Sequence, residues 1–524
     1  MRPLTARGFL MCFAACIPLA GCGSDPEETG GGSGATGGSA GNGGSAGSGG
    51  SAASGGSSGA GASGGTAGTG AVGGSAGTAG VGGAAGTGGG AGTGGTAGTG
   101  GTAGTSGSEF SGAVPLSQTE NDRFWAAAFD AQGRPYAAGY SEFNGDSALV
   151  VARFNMDGTY DSSFGTGGIA YVNAVSGGTL EQARGLGVQS DGKVVVAGTV
   201  EHDPSATYVD ADIAVARFNS DGTLDTTFGT NGVAIIDITT GANDGTSDIN
   251  DSLWNATVDA QDRILLFGMA KAEARSDRDR FVARLTPNGS LDTTFNSTGK
   301  HVYGVDGLDL NDNGRNGFVQ PDGKIFHGGY TNVSGSNQIV LARFNADGTL
   351  DASFDTDGIL RSAALPSPGM AEAYGAALQS SGKYVTTGYG REQGTGTVDL
   401  VSFRYGTDGA ADNTWATNGG LIYDIAADND RGRNVLPLSD DRTVHVGSGS
   451  PSTGVIHAMI LITTADGALD TSFDTDGVKL YDFGSVDQAL FGAAVSPDGK
   501  WVAAAGYLRV DAADDDAALV LLPL

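Results

Sequence analysis

Seven residues at one recurring position of this sequence could together form a binding surface. They are aromatic or arginine, and the two kinds alternate: Trp125, Arg184, Trp254, Arg315, Tyr374, Arg433 and Phe491. In a closed ring of seven, the first and last members would form one aromatic pair. A guanidinium group stacked on an aromatic ring contributes roughly 0.5–2 kcal/mol once both are desolvated. This Arg–aromatic set could bind sugar rings or carboxylates. Packing between structural units is the favoured interpretation, and binding is the alternative.

A second recurring position lies three residues earlier and is acidic in five cases: Asp122, Glu181, Asp251, Asp312 and Asp430. Glu372 and Asp487 lie one residue out of phase with it. Calcium is bound in proteins by oxygen atoms, so carboxylates at one face could hold this ion or balance the arginines. Salt bridges to neighbouring Arg residues, or simple solvation, are the favoured interpretation of this acidic set.

Five arginines precede an aspartate by eight residues: Arg153 and Asp161, Arg217 and Asp225, Arg284 and Asp292, Arg343 and Asp351, and Arg404 and Asp412. In the sixth case Ile462 precedes Asp470. Because a catalytic residue is needed only once, the recurrence predicts a structural role. We expect each Arg to pair with its Asp or to cap a turn.

Three smaller groups could also do chemistry. The longest insertion carries Asp237, Asp244, Asp248 and Asp251, which could serve a catalytic site at one mouth of a channel. His202 lies near Asp203, Asp210 and Asp212, which we interpret as an acidic loop. Asp309 to Gly314 matches the first half of a calcium loop, but position 12 is Gln320 and the bidentate Glu is missing. We expect His327 and His445 to be half-buried strand residues.

These positions are all counted from a turn that recurs seven times. The reference residues of the seven successive copies are Gly133, Gly192, Asp262, Gly323, Gly382, Asp441 and Gly499. Neighbouring copies lie 58 to 70 residues apart. A basic residue follows in every copy, and a Gly lies six residues later in all but the last, where Gly506 comes one residue later still. The Arg–aromatic set lies eight residues before the reference, and small residues follow it, as expected where repeats converge on an axis.

The repeats predict strands rather than helices. Each contains short runs of β-branched and aromatic residues separated by Asp-Gly and Asn-rich turns. The second repeat reads as strands over 184–189, 193–199, 213–219 and 232–238. Four antiparallel strands repeated seven times predict an all-β fold, a seven-bladed β-propeller. The last repeat lacks a fourth strand, and we expect residues 109–118, which resemble that strand in sequence, to close the last blade.

A second phrase follows each turn, as in Ala216 to Asp225 and Ala342 to Asp351, with Phe or Trp three residues after the Asp. These phrases resemble the delta-60 repeat, a family of bacterial exported proteins. The resemblance covers residues 109–524 and implies a β-propeller.

The amino terminus reads as an export signal over residues 1–21. Arg2 and Arg7 precede a short apolar run, and Leu19-Ala20-Gly21-Cys22 resembles the lipobox of bacterial lipoproteins. That resemblance implies lipid attachment to Cys22, and Gly23-Ser24 favours the outer membrane. A plain secretory signal that leaves a free Cys22 is the alternative. Residues 22–108, almost entirely Gly, Ser, Ala and Thr after the first few, predict a disordered stalk.

Composition excludes several classes of partner. The formal net charge of −30 argues against nucleic acid, whose binding depends on a surplus of Lys and Arg. The three Cys residues all lie within the first 22 positions, which predicts a propeller without disulfides or thiolate metal sites. The sequence contains no run of 18 apolar residues, so we expect no membrane-spanning helix.

Three functions fit this organisation. The leading hypothesis is a non-enzymatic, lipid-anchored binding or scaffold module at the outer membrane or cell surface, with an unidentified protein or carbohydrate ligand. The alternatives are a propeller-channel enzyme, such as a calcium-dependent sugar lactonase or a polysaccharide lyase or hydrolase, and a calcium-dependent adhesin. We expect a monomer that contacts the membrane only through its lipid, with no cofactor apart from calcium in the two alternatives.

Overall fold

The computed structural model describes residues 107–524, apart from 118–119, 144–145, 179, 203–209, 240–248, 272–276, 306–310, 334–335, 366–368, 393–395, 427 and 512–513. The described residues form strands arranged in seven sheets, which confirms the predicted seven-bladed propeller of four-stranded antiparallel blades. Among them, no helix is long and apolar enough to cross a membrane. Cys22 and the predicted signal segment lie outside the described residues.

The strands follow one another from the axis outwards in each blade. The first strand of the chain, β1 (Phe110–Ala113), belongs to the last blade. Blade 1 contains β2 (Asp122–Phe129), β3 (Pro135–Phe143), β4 (Asp146–Arg153) and β5 (Ile169–Val172). Blade 2 contains β6 (Glu181–Val188), β7 (Val194–Glu201), β8 (Asp210–Phe218), β9 (Val233–Ile236) and the short parallel β10 (Ile249–Asn250). Blade 3 contains β11 (Ser252–Val258), β12 (Ile264–Lys271), β13 (Arg278–Leu285) and β14 (Lys300–Tyr303).

The remaining four blades repeat the pattern. Blade 4 contains β15 (Asp312–Val319), β16 (Ile325–Val333), β17 (Ser336–Phe344) and β18 (Ile359–Ser362). Blade 5 contains β19 (Met370–Leu378), β20 (Tyr384–Arg391), β21 (Asp399–Tyr405) and β22 (Gly420–Tyr423). Blade 6 contains β23 (Arg431–Pro437), β24 (Thr443–Ser452), β25 (Val455–Thr463) and β26 (Val478–Tyr481). Blade 7 contains β27 (Gln488–Val495), β28 (Trp501–Arg509) and β29 (Asp515–Pro523), and β1 is its fourth strand.

The pairing of β1 with β29 joins the beginning of the propeller to its end. The two strands are antiparallel, with Phe110 opposite Leu521 and Ala113 opposite Ala518. The Phe110 side chain is buried in the same apolar cluster as Phe154 and Leu521. An unpaired β29 would expose a row of backbone N–H and C=O groups, so β1 covers an edge as well as filling the core.

The tight turns require left-handed backbone at the reference position. Five of the seven reference residues are glycines, and Asp262 and Asp441 adopt the same conformation, with φ of 59° and 64°. Glycine and aspartate are among the residues that tolerate this region, which explains why only these two types occupy the position.

The Arg–Asp pairs predicted from the eight-residue spacing are confirmed. The Arg–Asp distance is 2.6–2.8 Å in all five blades that carry both residues. Each Arg also donates to a backbone carbonyl of the next blade, for example Arg284 to Ala346 at 2.5 Å, and lies over the Phe or Trp that follows its Asp. In blade 6, where Ile462 replaces the Arg, Arg442 from the turn pairs with Asp470 at 2.9 Å. The pairs therefore join neighbouring blades.

Removing one inward side chain of β1 tests its contribution to ring closure. Phe110→Ala should lower the free energy of unfolding by about 3–5 kcal/mol, because it leaves a cavity in a buried cluster. The measurement is urea unfolding followed by tryptophan fluorescence. Ile235→Ala, at an exposed position of the outer strand β9, is the control and should change stability little. Equal stability of the two variants would show that β1 is dispensable.

Two arginines at equivalent positions differ in whether a second cation supports their aspartate. Among the described residues Asp292 is paired with Arg284 alone, whereas Asp351 is also paired with Lys324 at 2.8 Å. Arg284→Leu should lower the free energy of unfolding by about 3–5 kcal/mol, because it leaves a buried carboxylate without its cation. The loss in Arg343→Leu should be on the order of 1 kcal/mol smaller. Chemical unfolding of both variants measures the difference. A larger loss in the Arg343 variant would contradict this account of the pairs.

Candidate functional site

A β-bulge positions every member of the Arg–aromatic set. In each blade the innermost strand shifts its pairing register at this residue: between Phe124 and Ala126 in blade 1, for example, which leaves Trp125 out of the ladder. The equivalent shift occurs in the other six blades. A bulge bends the strand and redirects the side chain of the extra residue. The side chains of the set consequently leave the regular alternation of the sheet.

The repeated glycine is explained by this bulge. Gly139 pairs with Phe124, and a Cβ atom at Gly139 would overlap the carbonyl oxygen of Arg123. The same overlap with the innermost strand occurs at Gly198, Gly268, Gly329, Gly388, Gly447 and Gly506. In blade 7 the turn is one residue longer, so Gly506 rather than Ala505 lies opposite Leu490, the residue before the bulge. Glycine is therefore required wherever the bulge brings the two backbones together.

The seven side chains contact one another in a closed circle. Arg184 lies 4.3 Å from the ring centre of Trp125 and 3.9 Å from that of Trp254. Arg315 lies 3.7 Å from Trp254 and 4.8 Å from Tyr374. Arg433 follows at 4.9 Å from Tyr374 and 5.6 Å from Phe491. Because seven is odd, two like members must meet, and Phe491 stacks on Trp125 at 4.1 Å.

Each of these contacts joins two neighbouring blades. The set therefore packs blade against blade, as the favoured interpretation of the sequence expected. Tyrosines of the second strands support it from outside: Tyr330 accepts a hydrogen bond from Arg315 at 2.9 Å, and Tyr507 stacks on Phe491 at 5.5 Å.

The same seven side chains also line a cavity of about 100 Å³. Its wall is completed by Leu186, by small residues, and by Asn255, Asn316 and Asn434, which directly follow a member of the set. The buried polar atoms of the wall that have no hydrogen-bond partner among the described residues include these four: Trp125 Nε1, Trp254 Nε1, Asn255 Oδ1 and Asn316 Oδ1. Two are donors and two are acceptors, so the wall can bond a ligand that carries both kinds of group.

Sequence reasoning missed the three asparagines. Their position holds Ala or Gly in the other four repeats, namely at Ala126, Gly185, Gly375 and Gly492. An amide at a position that is otherwise small was the available signal. It breaks the seven-fold symmetry and so marks part of the cavity wall as different.

The acidic set is not part of the cavity wall, and its role differs from the salt bridging or solvation that we expected. Asp122, Glu181, Asp251, Asp312 and Asp430 are buried, and each accepts hydrogen bonds from backbone N–H groups of the segment that leads into its blade. Salt bridging and simple solvation are therefore wrong as explanations of these five carboxyls, although the out-of-phase Asp487 does pair with Arg509, at 2.6 Å. In blade 7 the neutral Gln488 plays the same part by accepting from Phe483 N at 2.7 Å, so hydrogen bonding rather than charge defines the position.

Burial has raised the pKa of several of these carboxyls despite their amide donors. Desolvation raises the pKa of Asp122 to about 8, and it raises the pKa values of Glu181 and Asp251 to about 7. Glu372, out of phase in sequence, accepts instead from Asn337, and Asp487 accepts from Tyr507.

The other predicted candidates have mixed outcomes. Asp237 and Asp251 come together with Asp212, and His202 contacts Asp212 through Nδ1. Asp203, Asp244, Asp248 and Asp309 lie outside the described residues. His327 and His445 are fully buried rather than half-buried. Desolvation lowers the pKa of both and brings that of His445 to about 3, so both rings are neutral.

Comparison with known proteins supports the fold. Residues 133–164, 189–228, 272–295 and 320–354 match a family described as a beta-propeller domain of unknown function, DUF5122. Together with the seven sheets, this match identifies a β-propeller repeat protein. A comparison with curated proteins gives no match.

Solved structures also resemble this chain. One is a protein of unknown function from Dyadobacter fermentans, with 12% identity and a TM-score of 0.41, covering 79% of this chain and 98% of the other. Another is a gluconolactonase from Xanthomonas campestris, with 13% identity and a TM-score of 0.33, covering 79% and 97%. The polysaccharide lyase Uly1 has 11% identity and a TM-score of 0.43, covering 78% and 90%. At these identities the likeness concerns the fold alone.

The buried carboxyl of Asp122 predicts a pH dependence of stability. Its pKa is about 8 in the folded chain and near the ordinary value of about 4 when unfolded. The folded state therefore holds the proton between these values, and stability falls as pH rises through this window. Asp122→Asn should lose this pH dependence, so the stability of the variant relative to the parent should be higher at pH 8 than at pH 5. Urea unfolding at both pH values measures it.

The control for this prediction is Asp466→Asn, at an exposed position. It should leave the pH dependence unchanged. A parent protein and Asp122→Asn variant with the same pH profile would contradict the raised pKa.

Proposed function

We propose that this protein is a non-enzymatic binding module whose central cavity holds a sugar bearing a carboxylate. The observation that supports this most is the unpartnered donors and acceptors in a wall of stacked aromatic rings and guanidinium groups. A buried polar group without a partner costs free energy, and a ligand that supplies the partner recovers it.

The wall matches the chemistry of a sugar acid. The ring faces are already stacked on neighbouring members of the circle, so the wall offers a sugar its polar atoms: sugar hydroxyl groups can both accept from the Trp N–H groups and donate to the Asn oxygens. Arg184, Arg315 and Arg433 bring three positive charges to a wall that contains no carboxylate among the described residues. This local charge favours an acidic ligand, although the chain as a whole is strongly acidic.

Binding and blade packing are compatible roles for the same residues. The stacked circle holds the guanidinium and aromatic groups in place before a ligand arrives. Little conformational entropy is then lost on binding, which is the usual advantage of a preformed site.

The channel-enzyme alternative would need an acid and a base near the ligand. Among the described residues that line the cavity, the titratable groups are the three arginines and Tyr374. The two described aspartates of the insertion, Asp237 and Asp251, belong to a different cluster. The cavity is accordingly better suited to binding than to hydrolysis by paired carboxylates.

The amino-terminal segment extends the proposal to location. A lipid on Cys22 would anchor the chain to the outer membrane or cell surface, and the stalk over 22–108 would hold the propeller away from it. Membership of the delta-60 repeat family is also part of this proposal.

Calorimetry with three probes tests the proposed binding: glucuronate, glucose and acetate. We expect glucuronate to bind more tightly than either of the others, because only it combines a sugar ring with a carboxylate. Asn316→Leu should weaken glucuronate binding at least tenfold by filling the cavity and removing an acceptor. Asn155→Leu, at an exposed turn, is the matched control and should bind as the parent does.

Two results would contradict the proposal. One is equal binding of glucuronate by the parent and by Asn316→Leu, or no binding of any probe. The other is the release of new chain ends from an acidic polysaccharide by the parent, which would favour the enzyme alternative.

A further inference from the structure

A cluster of three carboxylates lies at the junction of blades 5 and 6, away from the central cavity. Asp399 begins β21, Asp424 directly follows β22, and Asp430 directly precedes β23. One oxygen atom from each of the three lies within 4.8 Å of the others. Two oxygens bound to one calcium ion at 2.3–2.6 Å are at most roughly 5 Å apart, so this spacing suits a common ion.

Asp399 is the unusual member of the cluster. It is only 8% exposed, yet its carboxylate has no hydrogen bond or ion pair with any described residue. Burying a carboxylate without a partner is costly, and here two further carboxylates are close by. Desolvation, with the neighbouring Asp424 charge, raises the pKa of Asp399 to about 6. The carboxylate of Asp399 is therefore available to accept a cation.

Asp430 and Asp424 complete the cluster from two sides. Asp430 is fully buried and is held by the backbone N–H groups of Ile425 and Ser450, both at 2.7 Å. Asp424 is exposed and faces solvent, so water could supply further ligands. Neither residue forms an ion pair with Lys, Arg or His in the described part of the chain.

The equivalent junction of blades 2 and 3 provides an internal comparison. There the corresponding residues are Asp212, Asp237 and Asp251. His202 contacts Asp212, and Thr239 donates to Asp251 at 3.2 Å. The interaction with Asp212 raises the pKa of His202, which favours the cationic imidazolium there. This cluster thus has a basic side chain of its own, whereas the cluster at blades 5 and 6 has none among the described residues.

We propose that Asp399, Asp424 and Asp430 bind one calcium ion. Carboxylate oxygens and water are ligands that calcium accepts in irregular arrangements, whereas magnesium requires near-octahedral geometry at shorter distances. The ion would join β21, the segment after β22 and the start of β23, and so tie blade 5 to blade 6. This site is separate from the sugar-binding cavity and does not depend on it.

The test uses the full chain with calcium chloride as the probe. Calorimetry should show one calcium ion bound per chain, more tightly than magnesium, and the melting temperature should be a few degrees higher in millimolar calcium than in EDTA. Asp424→Asn should abolish both effects. Because Asp424 is exposed, this variant should fold, and in EDTA it should melt at the same temperature as the parent or higher, since a like charge has been removed.

Asp237→Asn is the matched control, because it changes the equivalent aspartate of the cluster that contains His202. It should bind calcium as the parent does. Asp399→Asn is a second variant and should also lose the calcium-dependent rise in melting temperature. The proposal is overturned if the parent binds no calcium, if it prefers magnesium, or if Asp424→Asn and Asp399→Asn keep the parent's response.

Discussion

The contact between a bulged innermost strand and a glycine on the next strand shapes the centre of this propeller. At Gly139 and its six equivalents the carbonyl of the bulged strand occupies the place of a side chain. The bulge releases the residue beside it, such as Trp125, from the sheet alternation. Seven such residues then meet around the axis, and their stacking, the cavity and the asparagines that line it all follow from that one backbone arrangement.

Charged groups in the propeller are buried in three distinct ways, and each has a different consequence. Arg284 and Asp292 neutralise one another and also reach the next blade, so they contribute to cohesion. Asp122 is held by backbone N–H groups but keeps a raised pKa, so it is costly at high pH. Asp399 has neither kind of partner in the described part of the chain, which is why a metal ion is the proposal there.

Much of the fold could be predicted from the sequence because the repeats contain purely local signals. The Arg–Asp pairing could be predicted because two residues eight apart across one hairpin must lie side by side, as in Arg217 and Asp225. The role of the acidic set could not, since the N–H groups that Asp122 accepts from include that of Ala517, at the other end of the chain. The ion pair between Arg442 and Asp470 in blade 6 could not be predicted either. The sequence does not show which turn residue reaches the Asp when Ile462 replaces the usual Arg.

The sequence by itself determined the number of blades, the strand order within each blade, the turn conformations and the identity of the Arg–aromatic set. All of these depend on residues close together in the chain and on repetition. Only the tertiary structure decided that the set forms a closed circle around a cavity, that Asn255 and Asn316 join its wall, and that Asp399, Asp424 and Asp430 meet. These contacts cross blade boundaries, and their distances are set by how the sheets twist and pack around a common axis.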